Sequence, residues 1–229
     1  MMGKALFITG TGTDVGKTYV TALIVKKLRE AGLSSGYYKA ALSGAVPAAD
    51  GTLQPGDALY VNRVAKLGES VGDLVSYVYE DAVSPHLAAK LCQQPIDFAR
   101  VREDFACAKE HCDYLTMEGS GGIICPLRWD ATQHVVLDDL VKELDLGVLV
   151  VADAGLGTIN STVLTIEHLR RREIPVRGVI FNRYVSGDRM QEDNAAMIEQ
   201  LTGVKVLACV KEGDQDLDIA DEVLHRLYR

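Results

Sequence analysis

Short apolar runs recur along this chain, and the stretches between them carry helical spacing. The runs at 5–9, 35–39, 114–118, 147–152, 176–182 and 204–210 are mostly rich in Val, Ile or Leu and do not alternate apolar with polar. Such runs, bounded by turn residues, predict strands buried on both faces, as in a parallel sheet. Between them, helical patterns are predicted over 17–31, 57–67, 97–111, 137–144, 158–172, 190–201 and 217–227. Gly32, Gly68 and Gly203 stand where a helix would stop, and Asp97 where one would be capped. Repeated strand–helix alternation implies right-handed crossovers. The fold class is therefore α/β, a doubly wound, mostly parallel sheet with helices on both faces. In such sheets ligands sit beyond the carboxyl ends of the strands, so the loops that follow strands are the informative ones. The stretch 40–56, with Gly44, Pro47, Gly51 and Pro55, reads as a long structureless loop.

At 229 residues, one domain over 1–229 is the expectation. The net charge of −8 speaks against nucleic-acid binding. The one basic triplet, Arg170-Arg171-Arg172, falls at a predicted helix end, where cations favour the dipole. No apolar run approaches the roughly 18 residues of a membrane span, and the first residues read as a strand start, so neither a membrane nor a secretory signal is expected. The five cysteines form no C-x-x-C pair and fit reduced thiols in a cytoplasmic protein. Cys107 and His111 would share a helix face, but a full ligand set for a metal is not evident.

The first predicted strand runs into Gly10-Thr11-Gly12-Thr13-Asp14-Val15-Gly16-Lys17-Thr18, and a helix follows. That order makes a phosphate cradle: backbone N–H groups of the turn face an anion, and the helix N-terminus adds partial positive charge. Lys17 would reach the β/γ-phosphates and Thr18 would take Mg²⁺. The common spacing places its first glycine on Thr11, so the loop either carries one extra residue or is anchored on Gly12. The bland alternative is an ordinary glycine-rich turn. Later strand ends add further candidates. Lys39 could stabilise charge in phosphoryl transfer or simply close a strand. Asp57 is a helix cap or a metal ligand. Glu118, followed by Gly119, Ser120, Gly121 and Gly122, fits a carboxylate ligand of Mg²⁺ or a solvated turn residue. The turn 153–160 could bind a carboxylate at a helix start or be a plain capped turn. Asn182 at a strand end can pair with a purine edge, and adenine suits it better because Arg183 and Tyr184 follow instead of a guanine-reading segment.

Taken in order, these segments resemble the dethiobiotin synthetase family: GTGTDVGKT (10–18), YYKAALSG (37–44), GDAL (56–59), SPHLAA (84–89), MEGSGG with ICPL (117–127), GLGTINST (155–162) and VIFN (179–182). The nine-residue loop is that family's form. The resemblance implies a P-loop NTPase-like fold and an ATP- and Mg²⁺-dependent ligase that closes the ureido ring of dethiobiotin. Its substrates would be 7,8-diaminopelargonate (7,8-diaminononanoate), CO₂ and ATP. Residues 12–19 (Gly12, Thr13, Asp14, Val15, Gly16, Lys17, Thr18 and Tyr19) and Asn182 would then hold the nucleotide. Thr18, Asp57 and Glu118 would hold the metal. Lys17, Lys39 and Thr13 would act in catalysis, and Lys39, Ser43, Gly121, Gly122 and Asn160 would meet the substrate. Asn160 matches a residue that reaches the substrate from the partner of a homodimer. Two segments depart from the pattern: Ala-Leu precedes Ser43-Gly44, and 206–214 lacks the family's Gly and Pro near the adenine pocket. The rival reading is a ParA/MinD-like switch ATPase. It expects a lysine early in the loop, where this chain has Thr11, Gly12 and Thr13.

Overall fold

All six apolar runs predicted as strands lie in one sheet. The structure, a computed structural model, describes residues 3–228. In chain order the elements are β1 (Lys4–Gly10), α1 (Lys17–Glu30), β2 (Ser35–Ser43), β3 (Val46–Pro47), β4 (Leu53–Gln54), α2 (Gly56–Ala65), α3 (Val71–Leu74), β5 (Val75–Tyr79), α4 (Pro85–Leu91) and α5 (Phe98–Glu110). They continue with β6 (Tyr114–Gly122), β7 (Pro126–Trp129), β8 (His134–Val136), α6 (Leu137–Glu143), β9 (Gly147–Asp153), α7 (Thr158–Arg171), β10 (Val176–Asn182), α8 (Arg189–Thr202), β11 (Val206–Cys209) and α9 (Asp221–Leu227). Seven strands, in the order β11-β10-β9-β1-β6-β2-β5, form the main sheet, and every neighbouring pair is parallel.

Alternation along β1 sorts the two layers. Leu6 and Ile8 face α1 and α9 in one buried cluster, while Ala5 and Phe7 face α5, α6, α7 and α8 in another. Both faces of the central strands are covered, which is why their sequences read as continuous apolar runs. A third cluster joins α1 and α2 to β2 and β5. None of the described helices is long and apolar enough to cross a membrane.

Some sequence expectations are corrected. The stretch 40–56 is not structureless: β2 continues to Ser43, and β3 pairs antiparallel with β4. The helix predicted over 57–67 starts one residue earlier and ends at Ala65, with Lys66 rather than Gly68 in the left-handed cap position (φ 52°). The last helix covers only Asp221–Leu227, and the last strand only Val206–Cys209. Edge strand β5 and the β7–β8 hairpin lie outside the predicted elements. β5 (VSYVY) is five residues long and carries Ser76, too little apolar periodicity to stand out.

Candidate active site

β1, β2 and β6 are neighbours in the sheet, so their carboxyl ends bring three chemically distinct loops to one edge. The turn after β1 is tied to β9 by the Thr11 amide, which donates to the Val151 carbonyl at 3.0 Å. It enters α1 through Gly16, whose φ of +92° is left-handed. A Cβ at Gly16 would stand 1.9 Å from Asn182 Nδ2, so only glycine fits. Among the described residues, no side chain caps α1 and no acidic residue stands in its first turn. The first amides of the helix are therefore left for an anion. Lys17 is 7% exposed and donates to the Gly12 carbonyl at 3.0 Å. Burial and the nearby Lys39 ammonium push its pKa below the ordinary lysine value, against the pull of Glu118.

Beside the loop lies a cluster of charges. Glu118 Oε1 accepts from the Thr18 hydroxyl at 2.7 Å and from Lys39 Nζ at 2.9 Å, and Asp57 Oδ2 accepts from the same ammonium at 2.5 Å. Burial alone would lower the pKa of Lys39; Glu118 and Asp57 outweigh it and hold the pKa above the ordinary lysine value. Two carboxylates thus meet one ammonium, and the Thr18 hydroxyl bonds the carboxylate oxygen that faces it. These are hard oxygen donors of the kind Mg²⁺ prefers, and the ammonium stands where a cation is wanted. The donor set fits that metal.

Thr13, Asp14, Gly16, Lys17, Thr18, Tyr19, Lys39, Ser43, Asp57, Glu118 and Gly121 line a single cleft of about 740 Å³. Five of the expected residues stand outside it. Gly12 supplies the carbonyl that holds Lys17. Val15 accepts from Asn182 Nδ2 at 3.0 Å, so Asn182 braces the loop from behind. Gly122 pairs with Gly10 in the sheet. Asn160 is exposed in the first turn of α7. The cleft also contains Tyr60, Ser120 and Arg183, which sequence reasoning missed. Arg183 donates to the Asp14 carbonyl at 2.6 Å and pairs with Asp153 at 2.9 Å, strapping the phosphate loop to the end of β9. Its place directly after Asn182 was the available signal.

Residues 4–216 match a family model described as an AAA domain. A curated relative from Brachyspira hyodysenteriae, named ATP-dependent dethiobiotin synthetase BioD, is 49% identical over 217 residues, which is 95% of this chain and 96% of the relative. One of the same name from Clostridium botulinum is 45% identical over 227 residues, 99% of each chain. Among solved structures, the MinC:MinD cell division complex of Aquifex aeolicus aligns with a TM-score of 0.56 at 15% identity, covering 98% of this chain and 86% of that one. A ParA family ATPase from Chlorobium tepidum aligns at 0.55 and 15%, covering 92% and 85%. At that identity the two structures share the fold, which is the doubly wound P-loop type read from the sequence.

Proposed function

This chain belongs to the ATP-dependent dethiobiotin synthetase family, and from that premise we propose that it closes the ureido ring of dethiobiotin from 7,8-diaminopelargonate, CO₂ and ATP. One amine of the diamine adds to CO₂, loses a proton and becomes a carbamate. The carbamate oxygen attacks the γ-phosphorus of ATP, and ADP leaves. The second amine then attacks the carbonyl of the carbamic-phosphoric anhydride, the ring closes and phosphate is expelled.

The difficulty of this chemistry is electrostatic, because a carbamate and a γ-phosphate repel one another. Cations held in a fixed arrangement offset that repulsion. Lys17 and the open N-terminus of α1 would hold the β- and γ-phosphates. Lys39 would bridge the transferring phosphoryl group and the carbamate. Thr13 and Ser43 would line the reacting centre, and Gly121 would present backbone to the substrate. Thr18, Asp57 and Glu118 would hold Mg²⁺, which on binding neutralises phosphate charge. With Asp57 and Glu118 engaged in holding the metal, Lys39 would be free to turn toward the substrate. Asn182 would keep its hold on Val15 while its amide oxygen accepts from the exocyclic amine of adenine. A homodimer would bring Asn160 of a second copy toward the substrate carboxylate. The small polar substrates and the free thiols fit a cytoplasmic enzyme.

The single observation that carries this reading is the meeting of Lys17, Lys39, Thr18, Asp57 and Glu118 in one cleft beside an uncapped helix N-terminus. The test is phosphate release from ATP with Mg²⁺ and bicarbonate, with and without the diamine, followed by mass detection of product. Strong stimulation together with a ureido product supports the ligase. Phosphate release indifferent to the diamine would overturn it.

A further inference from the structure

Glu118 is 1% exposed, and both of its oxygens are engaged. Oε1 accepts from Thr18 and Lys39, at the edge that faces the cleft. Oε2 points the other way and accepts from the Tyr37 hydroxyl at 3.1 Å, a contact between two buried side chains. Tyr37 and Lys39 are two residues apart on β2 and so project from the same face of the sheet. The pair grips one carboxylate from both sides, with the ammonium on one oxygen and the phenol on the other. Tyr37 itself is 1% exposed and is set among Ala22, Val25, Ala58 and Val61 of the cluster under α1 and α2. Its ring is fixed by that packing, and its hydroxyl therefore donates from a fixed point.

A carboxylate with one oxygen held by a rigid donor cannot rotate freely, and its other oxygen is presented in a single direction. Donors behind a metal ligand act in this way, by orienting it and setting its basicity. We propose that Tyr37 is a positioning residue for Mg²⁺: its hydroxyl anchors Glu118 Oε2 so that Oε1 faces the metal beside Thr18. The proposal rests on the assignment of Glu118 as a metal ligand given above, and it gives a role to a residue to which the sequence patterns assign none.

The experiment uses calorimetric binding of ADP to the full chain, with and without Mg²⁺, so that no turnover is needed. Tyr37→Phe keeps the ring and removes the hydroxyl. The Mg²⁺ concentration that half-saturates the effect on ADP binding should rise roughly 10-fold or more, the size expected when a partner behind a metal ligand is lost. Metal-free ADP affinity should stay as in the wild type, which also reports that the variant is folded. An unchanged Mg²⁺ requirement overturns the proposal. So does a parallel loss of ADP affinity with and without metal, which would mark Tyr37 as a core residue only. Glu118→Gln measured alongside separates the two layers of the argument. If it keeps the Mg²⁺ effect, the ligand assignment has failed; if it loses the effect while Tyr37→Phe keeps it, only the role of Tyr37 has failed.

Discussion

Lys39 is charged at 3% exposure, and an ammonium so far from water is tolerated only among anions. Glu118 and Asp57 supply them at 2.9 and 2.5 Å, which is why the charged form persists against burial. Removing the ammonium leaves the two carboxylates without the cation that bonds both, while the phosphate loop is untouched. Lys39→Ala should therefore cut turnover by about 100-fold or more, the scale of one lost transition-state donor, while ADP affinity in the presence of Mg²⁺ largely survives. Comparing phosphate release with calorimetric ADP binding checks it; affinity lost in proportion to rate would contradict a catalytic role. The legible residues share a property. Lys17, Thr18 and Asp57 stand in the first turns of α1 and α2, and Lys39 and Glu118 interrupt the apolar strands β2 and β6, so the polarity of each stands out from its surroundings. The role of Tyr37 was hidden for the opposite reason: a tyrosine inside an apolar strand reads as core, and only the third dimension shows its hydroxyl turned toward Glu118. The second role of Asn182, bracing Val15, depends on a contact across 167 positions of sequence that no local pattern records.

Elements were more legible than their boundaries. The main-sheet strands stood out because burial on both faces makes them uniformly apolar, whereas β3, β4, β7 and β8 are two to four residues long and carry no period to detect. The junction between β1 and α1 was clear because its glycines are dictated by geometry. At Gly16 an alanine would bear the left-handed backbone cost of about 1–2 kcal/mol and would also drive its Cβ into the Asn182 amide. Gly16→Ala should lower stability in urea by more than about 1 kcal/mol and abolish ADP binding. The double variant Gly16→Ala/Asn182→Ala should recover part of the stability but not the binding; no recovery would mean that the clash is not the cause. At α8 the determinant is a cap. Asp188 accepts from the Met190 and Gln191 amides at 2.9 and 3.1 Å, so Asp188→Ala should cost about 1 kcal/mol in urea unfolding. Turnover should be unaffected, because α8 contributes nothing to the cleft; a fall in turnover at full folding would tie α8 to the site.

For the whole molecule, the same doubly wound sheet serves relatives and structural neighbours with different printed names, so the fold alone does not decide the activity. The activity is argued from the site, where a second cation, Lys39, is set among carboxylates on the strand two places from β1. At this scale the proposed second copy turns on the start of α7. Asn160 is exposed on α7, and Leu164, one helical turn further along the same face, is 62% exposed; Leu156, just before the helix, is 91% exposed. Apolar side chains this bare beside a candidate substrate residue fit a surface that a second copy covers. The wild type should sediment as a dimer at micromolar concentration. Leu164→Glu places a charge in that contact and should shift the protein toward monomer. If Asn160 acts across the interface, the same substitution should raise KM for the diamine at low protein concentration. Metal-dependent ADP affinity should stay as in the wild type, because every group assigned to the nucleotide and Mg²⁺ comes from one chain. A wild type that sediments as a monomer while fully active would refute the shared site. A monomeric variant with unchanged KM would show instead that dimerisation, if present, leaves substrate recognition to a single copy.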